Sequence, residues 1–204
     1  MYGVIFDFLR SYVIERHGGR DTWEALLNEA GIGYKVYFPV AQYPDEEIVN
    51  LATTAARMLK TPLPAVLEDF GHYTGPKLIT YYEMFVRPEW RTFDVLENAS
   101  ARIHDAIHRY NPKRLPPRLV AKRLDANRME LTYQSERKLC MVAKGIVHGL
   151  KDHFGEAIEI SETQCMHSGA ECCRFDIVRT VPGLVPKQQP KARPVTQPEP
   201  ATIE

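Results

Sequence analysis

The spacing of hydrophobic residues along this chain changes once, and the change divides it. Up to about residue 111, apolar residues recur at helical intervals. Val4, Phe8 and Tyr12 follow one face of a first helix, with Ile5, Leu9 and Val13 beside them. Asp21 or Thr22 is expected to cap a second helix carrying Trp23, Leu26 and Leu27. The stretch "YPDEEIVNLATTAARMLK" opens on a proline and three acidic residues, the chemistry that the positive end of a helix favours. "TPLPAVLEDFGHY" predicts a fourth helix, whose continuation Gly71, Gly75 and Pro76 should disturb. "TFDVLENASARIHDAIHRY" predicts a fifth, stopped by Asn111 and Pro112.

Beyond that point the texture alternates. "RLVAKRL" and "RMELTYQSER" have the period of strands and are joined by the turn-prone "DAN". "KLCMVAKGIVHGLKDHF" returns to helical spacing through Leu139, Ala143, Ile146, Leu150 and Phe154, and "AIEISETQC" and "ECCRFDIVR" read as two more strands. Helices first and antiparallel strands later predict an α+β fold, with an N-terminal helical subdomain packed on a C-terminal part of helices and a four-stranded antiparallel sheet. From Val181 onward, "VPGLVPKQQPKARPVTQPEPATIE" is rich in proline, glutamine and charge with no apolar period. It is expected to be a disordered tail over 181–204, leaving one domain over 1–180.

Composition narrows the function classes. Lysines plus arginines number 26, as do aspartates plus glutamates, so no overall field draws the chain to nucleic acid or an anionic membrane. No apolar run reaches the length of a membrane span, and charges at Asp7, Arg10, Glu15 and Arg16 break any signal-peptide core. Four cysteines in such a chain point to reduced thiols or metal ligands, with the cytoplasm as the expected compartment. No glycine-rich nucleotide loop and no Ser-His-Asp arrangement is evident, and the chain is not expected to be an enzyme.

The candidate chemistry starts in "MELTYQSERK". Taking every second residue puts Met129, Leu131, Tyr133, Ser135 and Arg137 on one face, apolar at first and then three hydrogen-bond donors in a row. Arg137 can hold a carboxylate through two parallel hydrogen bonds, and Tyr133 and Ser135 can supply neutral donors. The plainer alternative is a packed tyrosine ring, a serine at a strand end and an arginine in solvent. Upstream, His104 lies on the predicted fifth helix, where a histidine beside an apolar pocket suits an axial ligand of haem iron. Haem is a planar, mostly apolar molecule bearing carboxylates, so the two observations complement each other. No Cys-x-x-Cys-His occurs, which points to non-covalent haem b.

These residues make the stretch from Met1 to about Arg179 resemble the H-NOX family, bacterial haem domains that sense nitric oxide or oxygen and are related to the haem domain of soluble guanylate cyclase. The resemblance rests on His104, on Pro117 thirteen residues later with Leu119 beyond it, and on "YQSER" as the family's Tyr-x-Ser-x-Arg. The openings "MYGVIF" and "YPDEEIVNLA" are also similar to family members. The resemblance implies haem between the two parts of the fold, His104 on the iron, Pro117 against the porphyrin and the propionates on Tyr133, Ser135 and Arg137. His108, one turn from His104, lacks the matching distances to Pro117 and Tyr133. The distal wall implied is Ile5, Leu9 and Val142. Val142 stands where oxygen-holding relatives place a tyrosine, so the resemblance implies a pocket for nitric oxide that also admits carbon monoxide; Tyr73 and Thr74 lie near the region that lines the pocket in relatives and could supply a donor whose place the sequence does not fix. It also implies release of His104 when nitric oxide binds, read by a histidine kinase or a cyclic-di-GMP enzyme.

A second cluster lies in "CMHSGAECC". Cys173 shares a strand face with Phe175 and Ile177, so it should point inward while Cys172 points outward. The subset of the family with structural zinc resembles this chain at Cys140, Cys165 and Cys173, but its histidine ligand is replaced here by Glu162. The fourth ligand is open between Glu162, His167 and Cys172, and a buried cluster of reduced cysteines is the metal-free alternative. The segment "GIVHGL…CMHSGAECCRF" also resembles vinyl-reductase-type ligand-binding domains. Besides a haem-based nitric oxide sensor, two other readings stand: a zinc- or thiol-dependent redox sensor on the same fold, and a haem nitric oxide dioxygenase.

Overall fold

The computed structural model of the chain describes residues 1–99 and 117–180. The latter part of the predicted fifth helix, with His104 and His108, and the proline-rich tail lie outside the described residues. Helix α1 (Gly3–Arg16) is buried around most of its girth by Val4, Phe6, Phe8, Leu9, Tyr12 and Val13. Phe6 stacks on Tyr37 at 4.4 Å and meets Tyr43 edge-on, which pins the loop before α3 against α1. Helix α2 (Arg20–Glu29) is preceded by Gly18 and Gly19, both at positive φ, and Gly19 is its N-cap. The expected cap at Asp21 or Thr22 is therefore wrong. The turn needs backbone that only glycine adopts readily, so the helix starts earlier and Asp21 falls in its first turn. Helix α3 (Asp45–Leu59) carries Asp45, Glu46 and Glu47 at its N-terminus, as its sequence predicts.

Helix α4 (Leu63–Tyr81) continues unbroken past Gly71, Gly75 and Pro76, contrary to the expected interruption. The reason lies in helix α6 (Cys140–His153), which packs against it. A Cβ on Gly71 would fall 2.2 Å from the Val142 carbonyl, and one on Gly145 would fall 2.0 Å from the Glu68 carbonyl. Gly149 is faced as tightly by the His72 carbonyl, at 2.2 Å, and Gly75 less tightly by the Ile146 carbonyl, at 2.8 Å. Four glycines at i, i+4 spacing on two helices thus let the backbones touch. The Pro76 ring removes the N–H that would have bonded His72 O, and that carbonyl faces the Cα of Gly149 instead.

Helix α5 (Thr92–Asn98) precedes the sheet, whose strands are β1 (Arg118–Arg123), β2 (Arg128–Gln134), β3 (Ile158–Gln164) and β4 (Cys173–Arg179). All neighbours are antiparallel in the order β1-β2-β4-β3. Met129, Leu131 and Tyr133 alternate inward as predicted. The strand then ends at Gln134, three residues short of the expected Arg137, so Ser135 and Arg137 of the donor face fall outside it. Ser135 to Lys138 form a turn closed by Lys138 N–H to Ser135 O at 3.0 Å, with Lys138 at φ 50°. Two cores result. Phe6, Trp23, Leu51 and Phe70 lie in the N-terminal one, and Phe93, Met129, Phe175 and Ile177 in the other. The α4–α6 contact joins them. No described helix is long and apolar enough to cross a membrane.

Candidate functional site

Between the two cores lies a cavity of about 970 Å³, at the upper end of the ~300–1,000 Å³ typical of ligand sites. α1 contributes Ile5 and Leu9, and α6 contributes Val142, all to its wall. Pro117 and Leu119, at the start of β1, and Tyr133, on β2, line it as well. Leu119 and Tyr133 are directly opposite in the β1–β2 register, which is why both reach the same space. Ser135 and Arg137 line its mouth from the turn after β2. The predicted cofactor residues among the described ones therefore converge on one cavity, and His104 lies outside the description.

The mouth is polar and already hydrogen-bonded. Arg137 donates to Asp45 Oδ2 at 3.1 Å, and Asp45 also accepts from the Met1 ammonium. Leu139 N–H donates to the Tyr133 hydroxyl at 3.1 Å, and Arg137 N–H donates to Ser135 Oγ at 3.3 Å. Burial pushes the Tyr133 phenol up, against the pull of Ser135 and Leu139. A protonated phenol there keeps its O–H available as a donor.

The interior wall is mostly apolar, with Phe70, Leu78 and Ile146 beside the predicted residues. Tyr73 and Thr74 are buried but do not contribute to it. Tyr12, which sequence reasoning did not single out, does reach the wall, and its hydroxyl donates to the Asp69 carboxylate. Burial and that carboxylate push the Tyr12 phenol up, so its proton stays engaged. Asp45 was also missed, and its only signal was its place in the acidic "YPDEE" opening of α3.

The second site lies at the end of the sheet. Ligand atoms of Cys140, Glu162, Cys165 and Cys173 all lie within 4.8 Å of one another. Cys140 stands at the start of α6, Glu162 in β3, Cys165 just after β3, and Cys173 at the start of β4. Cys173 and Cys165 sulfurs are 4.0 Å apart, and Met166 N–H points at the Cys173 sulfur at 3.2 Å. His167 and Cys172 are not in this group: His167 Nε2 lies 2.9 Å from Lys138 O, and Cys172 is met by the Gln164 amide. Cys173 is buried and Cys172 partly exposed, as the strand alternation predicts. Burial pushes the Cys140 and Cys165 thiols up, a penalty that a coordinated divalent cation removes by supplying positive charge.

Comparison with known proteins follows the same outline. The family model described as haem-NO-binding matches residues 2–162. An H-NOX protein from S. oneidensis in the Fe(II)NO ligation state superposes with a TM-score of 0.82 at 26% identity, covering 89% of this chain and 100% of that one. An H-NOX domain from Shewanella oneidensis in the Fe(II)CO ligation state gives 0.79 at 27%, covering 88% and 99%. A mutant H-NOX of T. tengcongensis gives 0.77 at 18%, covering 90% and 100%, a likeness of fold. No curated protein matches the chain.

Proposed function

The chain belongs to the haem-NO-binding family of haem-based gas sensors, and from that premise we propose that it binds nitric oxide at haem b and signals to a partner protein. The observation that carries this reading is the single cavity lined by Ile5, Leu9, Pro117, Leu119, Tyr133, Ser135, Arg137 and Val142. Its size, its apolar wall and its guanidinium, phenol and hydroxyl at one edge suit a flat molecule with carboxylates at one side. Tyr133, Ser135 and Arg137 would hold the carboxylates, Pro117 and Leu119 would press on the ring, and His104 would ligate the iron. Haem supplies a metal centre that takes a diatomic gas.

The chain's own residues would set the selectivity. Val142, Ile5 and Leu9 offer no hydrogen bond, and the Tyr12 proton is committed to Asp69. Apolar side chains at these positions favour nitric oxide and carbon monoxide over oxygen, which needs a hydrogen bond to stay. The segment carrying His104 links α5 to Pro117 and β1 along the chain, so its displacement would act on both. That makes the protein a two-state element biased by the gas, with a histidine kinase or a cyclic-di-GMP enzyme as the proposed reader. Absorption spectra of the reduced protein under nitric oxide, carbon monoxide and air test this. Shifted spectra with the first two and no lasting complex in air are expected, and a stable complex in air would refute the selectivity.

The sulfur cluster supports a second element of the proposal: a structural zinc on Cys140, Cys165, Cys173 and Glu162. Three thiolates and a carboxylate match the donors that a tetrahedral zinc takes. Oxidation of those thiolates would release the metal, which keeps a redox-sensing role on the same fold as the alternative reading.

A further inference from the structure

One short segment serves both the cavity and the sulfur cluster. It leaves the mouth of the cavity at Ser135 and reaches the cluster at Cys140, and it is tied at several points. Arg137 N–H donates to Ser135 Oγ, Lys138 N–H to Ser135 O, and Leu139 N–H to the Tyr133 hydroxyl. Tyr133 in turn stands directly opposite Cys173 in the β2–β4 register. Lys138 is held at φ 50°, a conformation that L side chains adopt rarely and that persists where the surroundings impose it. Its carbonyl supplies one such constraint. His167 Nε2 lies 2.9 Å from that oxygen, which can only accept, so the nitrogen carries the proton. His167 is itself anchored on the cluster. It sits in the single helical turn Met166–Ser168, directly after Cys165. Met166 N–H points at the Cys173 sulfur, and the N–H groups of Ser168 and Ala170 donate to Cys165 O at 3.1 and 3.3 Å.

We propose that His167 is a positioning residue that carries the state of the sulfur cluster to the turn holding the cofactor's carboxylates. A divalent cation on Cys140, Glu162, Cys165 and Cys173 would fix the turn that follows Cys165. Through the His167–Lys138 bond it would then hold Arg137 and the Tyr133 hydroxyl in place. The inference rests on the proposed haem and zinc and adds a link between them. As thiols, the Cys165 and Cys173 sulfurs hold each other weakly at 4.0 Å, and coordination would replace that contact with bonds to all four residues. At the other end, the left-handed backbone of Lys138 makes the turn sensitive to its clasp. Released from His167, Lys138 can relax toward ordinary backbone angles, and this would swing Arg137 and Leu139 N–H on either side of it. His167 is outside the group of metal ligands, so coordination does not compete for its ring, and it is exposed, so its removal leaves both cores intact.

The full chain, purified after haem- and zinc-supplemented expression, tests this before and after removal of zinc by a chelator. Two rates are read: hydrogen exchange of the Lys138 and Leu139 amides, and loss of haem to an excess of a haem-scavenging apoprotein. Zinc removal is expected to speed both several-fold in wild type. His167→Ala should be fast in both with zinc still bound, and zinc removal should add little. His167→Gln, whose amide N–H can reach the same carbonyl, should behave as wild type. Wild-type exchange rates in His167→Ala would overturn the proposal. So would a zinc effect as large in His167→Ala as in wild type, or a wild type that zinc removal leaves unchanged. Colour and zinc content of the same samples report separately on the haem and zinc readings. In a colourless protein the exchange rates alone decide the link, and a wild type that takes up no zinc would overturn it.

Discussion

Arg137 donates to Asp45 across 92 residues of sequence at the mouth of the cavity. Asp45 opens α3 in the N-terminal half, and Arg137 follows β2 in the C-terminal half, so the bond ties the two halves where the proposed cofactor's carboxylates would sit. Burial alone would push Asp45 up, but the Met1 ammonium and the Arg137 guanidinium hold it below the usual aspartate range. Its contribution is therefore present above the ordinary aspartate value and lost as pH falls through the lowered one. Asp45→Asn should lower the thermal midpoint by a few degrees at neutral pH. The gap from wild type should close in acid below about pH 4, as followed by circular dichroism.

The glycine contact gives a steric prediction. Gly145→Ala would place a methyl 2.0 Å from Glu68 O and 2.8 Å from His72 N, both backbone atoms that cannot step aside. The helices must part, at a cost of about 1–3 kcal/mol. Urea unfolding should show the midpoint falling with little change in slope.

The cavity wall gives a prediction about gas selectivity. Val142→Tyr puts a phenolic O–H into the wall that Val142 shares with the apolar Ile5 and Leu9. The reduced variant should hold oxygen in air where wild type does not, read as a persistent oxygenated spectrum. Identical behaviour of the two would show that Val142 does not face the gas.

Much of this site was legible in the sequence, because its parts are local. Period-two alternation placed Tyr133 inward, and strand faces separated Cys173 from Cys172. What was not legible depends on long-range packing. Gly71, Gly75 and Pro76 carry helix-breaking propensities, and nothing local says that α6 presents a second pair of glycines to receive them. "GHYTG" and "GIVHG" share the same spacing, and that shared spacing was the available signal. The bond from Arg137 to Asp45 was equally invisible, because an arginine read as a ligand-holding group gives no hint of a protein partner. Glu162, left open in the sequence beside His167 and Cys172, proves to stand with the three sulfurs.

Metal analysis tests the sulfur cluster. Protein produced in zinc-supplemented medium should carry zinc, and Cys165→Ser should lose most of it, since Cys165 is the partly exposed thiol of the three. Glu162→Gln should weaken retention less, because a neutral amide oxygen can still reach the cation. Equal zinc contents in wild type and Cys165→Ser would leave the cluster as reduced core cysteines.

The most direct measurement of the central claim is the visible absorption spectrum of the reduced full chain, purified after haem-supplemented expression, alongside His104→Gly. A coloured wild type whose Soret band shifts on adding nitric oxide, with a variant that retains haem only when free imidazole is supplied, is the predicted result. A colourless wild type, or a His104→Gly spectrum unchanged from wild type, would contradict it.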